Sequence, residues 1–222
     1  MQSLAKETME YCSSIICAGM SLVDLRGQLE RFMMQKVDSF WYWGIGAFVF
    51  AGKDTTISIS GREYQTADYC LKNDDIITID LSPQIDGYWG DYARTIILES
   101  GAVKYDADTI ADAEWQDGIA FQRELHKYLC DIAGPDMTFA DLYYILNKKI
   151  ETGCFINLDF KKNLGHSIEK GKERIYIDKY NEAKLSSVPF FTFEPHISRA
   201  GGTCGFKQED VYYFEQGRVT AL

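Results

Sequence analysis

Hydrophobic positions along the chain change their period several times. Residues 4–18 and 21–36 set apolar side chains at three- and four-residue steps, the pattern of amphipathic helices. Ser21, followed three residues later by Asp24, makes a start like a capping box for the second of them. Residues 47–60 and 74–98 read as strands, the latter joined through a turn at Asp86-Gly87. A long helix is predicted over 106–132, closed by Gly134-Pro135, and another from Thr138 to about Thr152. Strands return near 173–178, 189–197 and 208–214.

The pattern repeats. "MSLVDLRGQL" begins at Met20 and "MTFADLYYIL" at Met137, an offset of 117 residues. "ITIDLS" carries Asp80 and "FTFEPHIS" carries Glu194, an offset of 114. The two offsets agree within the slack of a loop. They predict a duplicated unit of helix and strand, with halves of about 1–104 and 105–222, each presenting an acid from an inner strand.

Those acids are costly. The run Ile76-Ile77-Thr78-Ile79 precedes Asp80, and Thr95-Ile96-Ile97-Leu98 follows Asp91. A carboxylate in such apolar surroundings is unfavourable by several kcal/mol unless its charge is compensated. A hairpin turning near residues 85–86 sets Asp80 and Asp91 roughly opposite each other on one face. Arg94, three residues on, points to the other face. Facing carboxylates persist around a cation or a shared proton.

Further metal-binding types stand on apolar strands or glycine-rich turns: His166 in "NLGHSIEK", Glu194 in "FFTFEPHIS" and Glu209 in "GFKQEDVYYF". Four carboxylates carry a charge that two divalent cations balance. An oxygen-rich set with one imidazole suits Mn, Fe, Co or Zn. Such a pair polarises a carbonyl and makes hydroxide available at neutral pH. Each residue also has an ordinary alternative. Asp80 can cap a turn, Asp91 can pair with a cation, His166 can be a satisfied core histidine, and Glu209 can be solvated.

Composition narrows the setting. The chain has 222 residues, a net charge of −10 and 46% hydrophobic residues. The acidic balance argues against non-specific nucleic-acid binding. Six cysteines contain no CxxC pair, which fits reduced thiols. No stretch approaches the ~20 apolar residues of a membrane span. A cytoplasmic protein acting on a small molecule is the expectation.

The joint pattern "DIITIDLSPQIDGYWGDYARTI", "GHSI", "FEP" and "KQEDVYYFEQGRVTAL" resembles the pita-bread metallopeptidase family of methionine aminopeptidase, aminopeptidase P, prolidase and creatinase. Its last stretch is most similar to the prolidase and aminopeptidase P branch. The resemblance covers residues 70–222 well and 20–69 in layout. It implies an α/β (α+β) duplicated fold, a curved antiparallel sheet with helices outside and two divalent metal ions inside. Asp80 would then bind one metal, Asp91 and Glu209 would bridge both, and His166 and Glu194 would complete the other site. Glu194 would also shuttle protons, and Lys207, where that branch usually has Arg, would receive a substrate carboxylate. A metal-bridging hydroxide attacking an amide or peptide bond of a small substrate is the implied activity.

The departures are specific. Peptidases of this family use two further histidines, one before the first Asp and one after the GH-x-I step. Only His126, His166 and His196 exist here, and Glu173 stands near the second expected place. This opens two alternatives, a lyase or iron-dependent oxidative reaction on the same scaffold, or a silent binding protein. His196, two residues beyond Glu194, is expected either to enter the cleft as a replacement donor or extra ligand, or to sit at a strand end on the surface. The aromatic run at 40–48, with Trp89, lines a pocket or builds core. No N-terminal domain of the prolidase type is seen in the sequence, so the cleft is expected to be open or closed by a second subunit in a homodimer.

Overall fold

Three of the four α-helices start on a short polar side chain. A computed structural model describes all residues 1–222. Helix α1 spans Gln2–Ile15 and α2 spans Leu22–Met33, beginning where the Ser21 hydroxyl accepts from the Asp24 amide at 3.0 Å. Helix α3 spans Ala113–Ile132, and α4 spans Phe139–Thr152 behind a complete capping box between Thr138 and Asp141. The expected start of α3 at 106 is corrected to 113. Asp112 is the residue whose carboxylate caps Trp115, and residues 107–109 form only a 3-10 turn.

The N-terminal half carries strands β1 Ser39–Phe40, β2 Ala47–Ala51, β3 Asp75–Leu81, β4 Pro83–Ile85, β5 Tyr88–Trp89, β6 Tyr92–Glu99 and β7 Ala102–Lys104. The C-terminal half carries β8 Phe155–Asn157, β9 Ser167–Ile168, β10 Phe190–Phe193, β11 His196–Arg199, β12 Gly205–Lys207, β13 Asp210–Glu215 and β14 Arg218–Ala221. All strand pairs are antiparallel, in the orders β2-β3-β6-β7, β14-β13-β10-β9, β12-β11-β8 and β1-β4-β5. The two four-stranded sheets join through a bridge between Ala93 and Glu209. Together they form the duplicated sheet that the repeat predicted, in the curved antiparallel form that the resemblance implied.

Strand alternation sorts β3 into two faces. Ile77, Ile79 and Leu81 are fully buried and pack with α1 and α2 in a cluster of 19 residues. Burial of each such side chain stabilises the fold by about 1.5–3 kcal/mol. Ile76, Thr78 and Asp80 take the other face, and Ile76 joins the 24-residue cluster of the C-terminal half. Asp80 therefore points away from the helices.

Three expected strands need correction. Strand β2 stops at Ala51 because Gly52 takes a left-handed backbone (φ 57°) and turns the chain into a 3-10 helix, Gly52–Thr56. The strand expected at 189–197 breaks after Phe193, since Pro195 offers no amide for a ladder. Its continuation, β11, changes partners to β8 and β12. Residues 173–178 hold no strand, only a bridge from Tyr176 to His166.

Candidate metal centre and substrate cleft

The register of the central hairpin places its two aspartates. Asp80 lies opposite Ala93, so Asp91, two residues before Ala93, is a diagonal neighbour on the same face. The expectation that the two stand roughly opposite each other on one face is refined to this two-residue offset. Between the strands, Asp86 (φ 51°) and Gly87 (φ 75°) make the tight turn linking β4 to β5. Arg94 does point away and pairs with Asp210 at 2.7 Å.

His166 arrives on a loop pressed against β10. A Cβ on Gly165 would stand 2.3 Å from the Thr192 carbonyl oxygen, so only glycine admits this approach. The His166 amide donates to the Thr192 hydroxyl at 3.0 Å, and Nδ1 lies 3.0 Å from the Ser167 carbonyl. A carbonyl only accepts, so Nδ1 carries the proton and Nε2 is left facing the acids. Nε2 is 3.5 Å from the Asp91 carboxylate and 3.8 Å from Glu194.

Glu209 is the most exacting member. It is fully buried, and neither carboxylate oxygen has a hydrogen-bond partner. Its ligand atom lies with those of Asp91 and His166 within a 4.8 Å sphere of mutual distance. A buried carboxylate without hydrogen bonds is tolerated where a cation compensates it. The donor chemistry here fits a divalent metal.

Asp80 and Glu194 take a different partner. The Lys207 ammonium lies 2.6 Å from Asp80, 3.1 Å from Glu194 and 4.0 Å from Glu209. Lys207 is thus an internal counter-ion of the cluster, and its charge is directed at these acids.

The protonation pattern follows from crowding. Burial raises the Asp80, Asp91 and Glu209 carboxyls above the usual range, Glu209 most, with neighbouring carboxylates adding to the shift at each. Burial works against charge on His166 and Lys207, but the surrounding acids outweigh it and raise both.

A cavity of about 670 Å³ opens over this cluster. Asp80, Asp91, His166, Glu194, His196 and Lys207 reach its wall. His196 is buried, not at the surface. Its Nε2 lies 2.6 Å from the Thr55 carbonyl, so Nε2 donates there and Nδ1, free of protein partners, remains an acceptor. Burial lowers its pKa to about 4, which keeps the ring neutral. Trp41, Tyr42 and Phe48 from the aromatic run line the cavity, whereas Trp89 stands behind Trp41 at 5.0 Å between ring centroids. Trp89 does not reach the cavity wall. Nor does Glu173, while its neighbour Arg174 does. Arg174 was not legible as a site residue, because Glu169, Lys170, Lys172 and Glu173 surround it with charge.

A curved, duplicated sheet with carboxylates and one imidazole gathered on its inner face defines a metallopeptidase-type scaffold. The sequence profile of metallopeptidase family M24 matches residues 1–216, and the chain belongs to that family. Similar solved structures include an X-Pro aminopeptidase from Thermotoga maritima, at 19% identity and a TM-score of 0.78, covering 99% of this chain and 58% of that one. A prolidase from Pyrococcus furiosus follows at 18% identity and 0.77, covering 99% and 60%. An Xaa-Pro dipeptidase from Bacillus anthracis stands at 17% identity and 0.77, covering 99% and 57%. The chain spans less than two thirds of the length of these relatives, and at such identities the likeness shows the fold. No curated protein sequence matches it. No helix is long and apolar enough to cross a membrane.

Proposed function

We propose that the chain is a dinuclear metal-dependent hydrolase that cleaves an amide or peptide bond of a small substrate, with chemistry like that of the X-Pro aminopeptidases and prolidases whose fold it shares. The observation that carries this reading is Glu209, fully buried with neither oxygen hydrogen-bonded, beside Asp91 and His166. Asp91 and Glu209 would be shared by two divalent ions, with Asp80 completing one place and His166 and Glu194 the other. Mn, Fe, Co or Zn suits such a donor set. When bound, these ions polarise the scissile carbonyl and acidify water.

The chain's own residues supply the rest. Glu194, held at 3.1 Å by Lys207, is placed on the cavity wall to carry a proton toward the leaving nitrogen. His196 offers an acceptor to a substrate N–H or O–H. Trp41, Tyr42 and Phe48 exclude water along one wall. Lys207, paired with Asp80 and Glu194, would compete with a metal ion for those carboxylates.

Elemental analysis of the protein purified without chelator, beside Asp91→Asn, tests the reading. Two ions per chain, lost in the variant, together with hydrolysis of Xaa-Pro dipeptides or amino-acid amide conjugates, is the expected result. One ion per chain overturns the dinuclear arrangement and leaves Lys207 in the second place. No ion after supplementation with Mn, Fe or Zn overturns the enzyme reading.

A further inference from the structure

Helix α3 carries an amide where its neighbours are apolar. Ile119, Phe121, Leu125 and Leu129 of this helix are buried in the larger core cluster. Gln122 stands among them with 2% of its surface exposed, and its Oε1 has no hydrogen-bond partner. A buried amide with an unpaired oxygen is unfavourable. Its nitrogen, by contrast, is fully used. Nε2 donates to the Pro195 carbonyl at 2.7 Å and to the Phe206 carbonyl at 2.6 Å. Carbonyls only accept, so turning the amide over would lose both bonds.

One helical turn on, His126 continues the same face. Its Nε2 donates to the Gln208 carbonyl at 3.2 Å, and Nδ1 accepts from the Tyr212 hydroxyl at 2.8 Å. One turn back, Gly118 leaves room for the Phe206 ring, which a Cβ would meet at 2.3 Å. Helix α3 thus holds three carbonyls, those of Pro195, Phe206 and Gln208. Each belongs to the peptide unit that leads into a residue of the site: His196, Lys207 and Glu209. Two of these units are also held from the other half of the molecule. The Lys207 amide donates to the Thr95 hydroxyl at 2.8 Å and the Glu209 amide to the Ala93 carbonyl at 2.9 Å, both on β6. A peptide unit is planar. Fixing its C=O from α3 and its N–H from β6 fixes its rotation, and with it the direction of the next Cα–Cβ bond.

We propose that Gln122 is a positioning residue of the candidate metal centre. One amide on α3 holds the Pro195–His196 and Phe206–Lys207 peptide units together, and so sets where Glu194, His196 and Lys207 point. The ladder between β11 and β12 ends at the His196–Lys207 pair, and Pro195 has no N–H to carry it further. The Gln122 amide joins the two segments at that end. Glu194 precedes Pro195 directly, and its carboxylate meets the Lys207 ammonium at 3.1 Å. The consequence for metal binding rests on the hydrolase reading, but the hold on the two peptide units does not.

Gln122→Met tests this, because it keeps the length of the side chain and removes both donors. Leu129→Ala, on the same helix and in the same cluster, is the comparison for loss of stability alone. The first measurement is amide hydrogen exchange of metal-free protein, read by mass spectrometry over peptides covering 193–198 and 205–210. Gln122→Met should speed exchange there about 10-fold beyond the rest of the chain, whereas Leu129→Ala should speed it evenly. The second is titration with Mn or Zn. Gln122→Met should bind about 10- to 100-fold more weakly than the wild type, and Leu129→Ala should bind like it. Exchange that rises evenly in Gln122→Met, metal affinity that falls equally in both variants, or affinity fully kept in Gln122→Met each overturns the proposal. If Gln122→Met does not fold, Gln122→Asn, which keeps the amide without its reach, carries the same comparison. A wild type that binds no ion removes the hydrolase reading alone, and the exchange pattern then decides for or against the hold of Gln122.

Discussion

The two halves of the molecule share a hydrogen-bonded frame and differ in what they hang on it. At the start of α2, Leu22 donates to the Tyr69 carbonyl and Leu71 to that of Met20. At the start of α4, Phe139 donates to Ala183 and Leu185 to Met137. Strand β3 pairs with β6 as β10 pairs with β13, matching Ile79 and Arg94 to Phe193 and Asp210. By the same register Asp80 corresponds to Glu194, Asp91 to Lys207, Ala93 to Glu209 and Phe50 to His166. The frame is repeated because backbone pairing tolerates any side chain that keeps the alternation. The chemistry is divided because one cluster needs acids, an imidazole and a cation at different corners. Ala93 and Glu209 bridge each other across the junction, so the small side chain of one half leaves room for the buried acid of the other.

The strongest way to break this comparison is to remove the acid that lacks a counterpart. Glu209→Gln should weaken metal binding by at least ~100-fold, read by metal titration. In metal-free protein the same change should raise the free energy of unfolding by about 1–3 kcal/mol, because a buried carboxyl group without a hydrogen-bond partner is gone. A drop in metal-free stability would show that Glu209 is satisfied within the protein.

Matched core truncations come next. Phe139→Ala in the larger cluster should cost about 3–5 kcal/mol and Leu29→Ala in the smaller about 2–5 kcal/mol. Denaturation followed by near- and far-ultraviolet circular dichroism should give one shared transition in each variant. Two separate transitions would mean that the halves unfold independently.

Acid separates the halves further, since His126, His166 and His196 all belong to the C-terminal one. His126 is buried between Tyr212, at 2.8 Å, and the Gln208 carbonyl, at 3.2 Å. Burial lowers its pKa from 6.5 to about 4, against the pull of Asp210. Between those values the unfolded chain holds the extra proton, so the contribution of His126 is full above pH 6.5 and drains as pH falls to 4. It amounts to about 3 kcal/mol. The stability advantage of the wild type over His126→Gln should shrink over that window, measured by urea unfolding at stepped pH. An advantage that stays constant from pH 7 to 4 would mean that the ring does not titrate this way.

The smallest contrast lies at the helix starts. Thr138 and Asp141 each accept from the other's amide, whereas Ser21 accepts from Asp24 and donates its hydroxyl to the Asp24 carboxylate. Thr138→Ala should cost about 1 kcal/mol and Ser21→Ala somewhat less. The reverse order in thermal unfolding would refute the claim that the full box is the stronger cap.

Much of this was legible along the chain, and the reason differs by residue. The repeat was readable because its two strong signals, a capped amphipathic helix and an acid on an apolar strand, recur at nearly one spacing. Asp80 and Asp91 were readable because each is costly alone on an apolar strand, and His166, Glu194 and Glu209 joined them as metal-binding types whose roles the family resemblance implied. The break at Glu194-Pro195 was visible as a proline but not as a change of strand partner, which depends on β8 and β12 being nearby. Trp89 read as a wall residue because its neighbours are aromatic, and only packing shows Trp41 standing in front of it.

The sequence by itself determined the periodicities, the helix caps, the duplicated frame and the identity of the acids. These depend on local hydrogen bonding and on burial, which side-chain type and spacing dictate. Tertiary structure alone decided the two-residue offset of Asp80 and Asp91, the direction of Lys207 into the acids, the Thr55 carbonyl that sets the His196 tautomer, and the hold of Gln122 on the Pro195 and Phe206 carbonyls. Each of those is a contact between residues distant along the chain, where a few ångströms settle whether a charge is compensated within the protein or offered to a ligand.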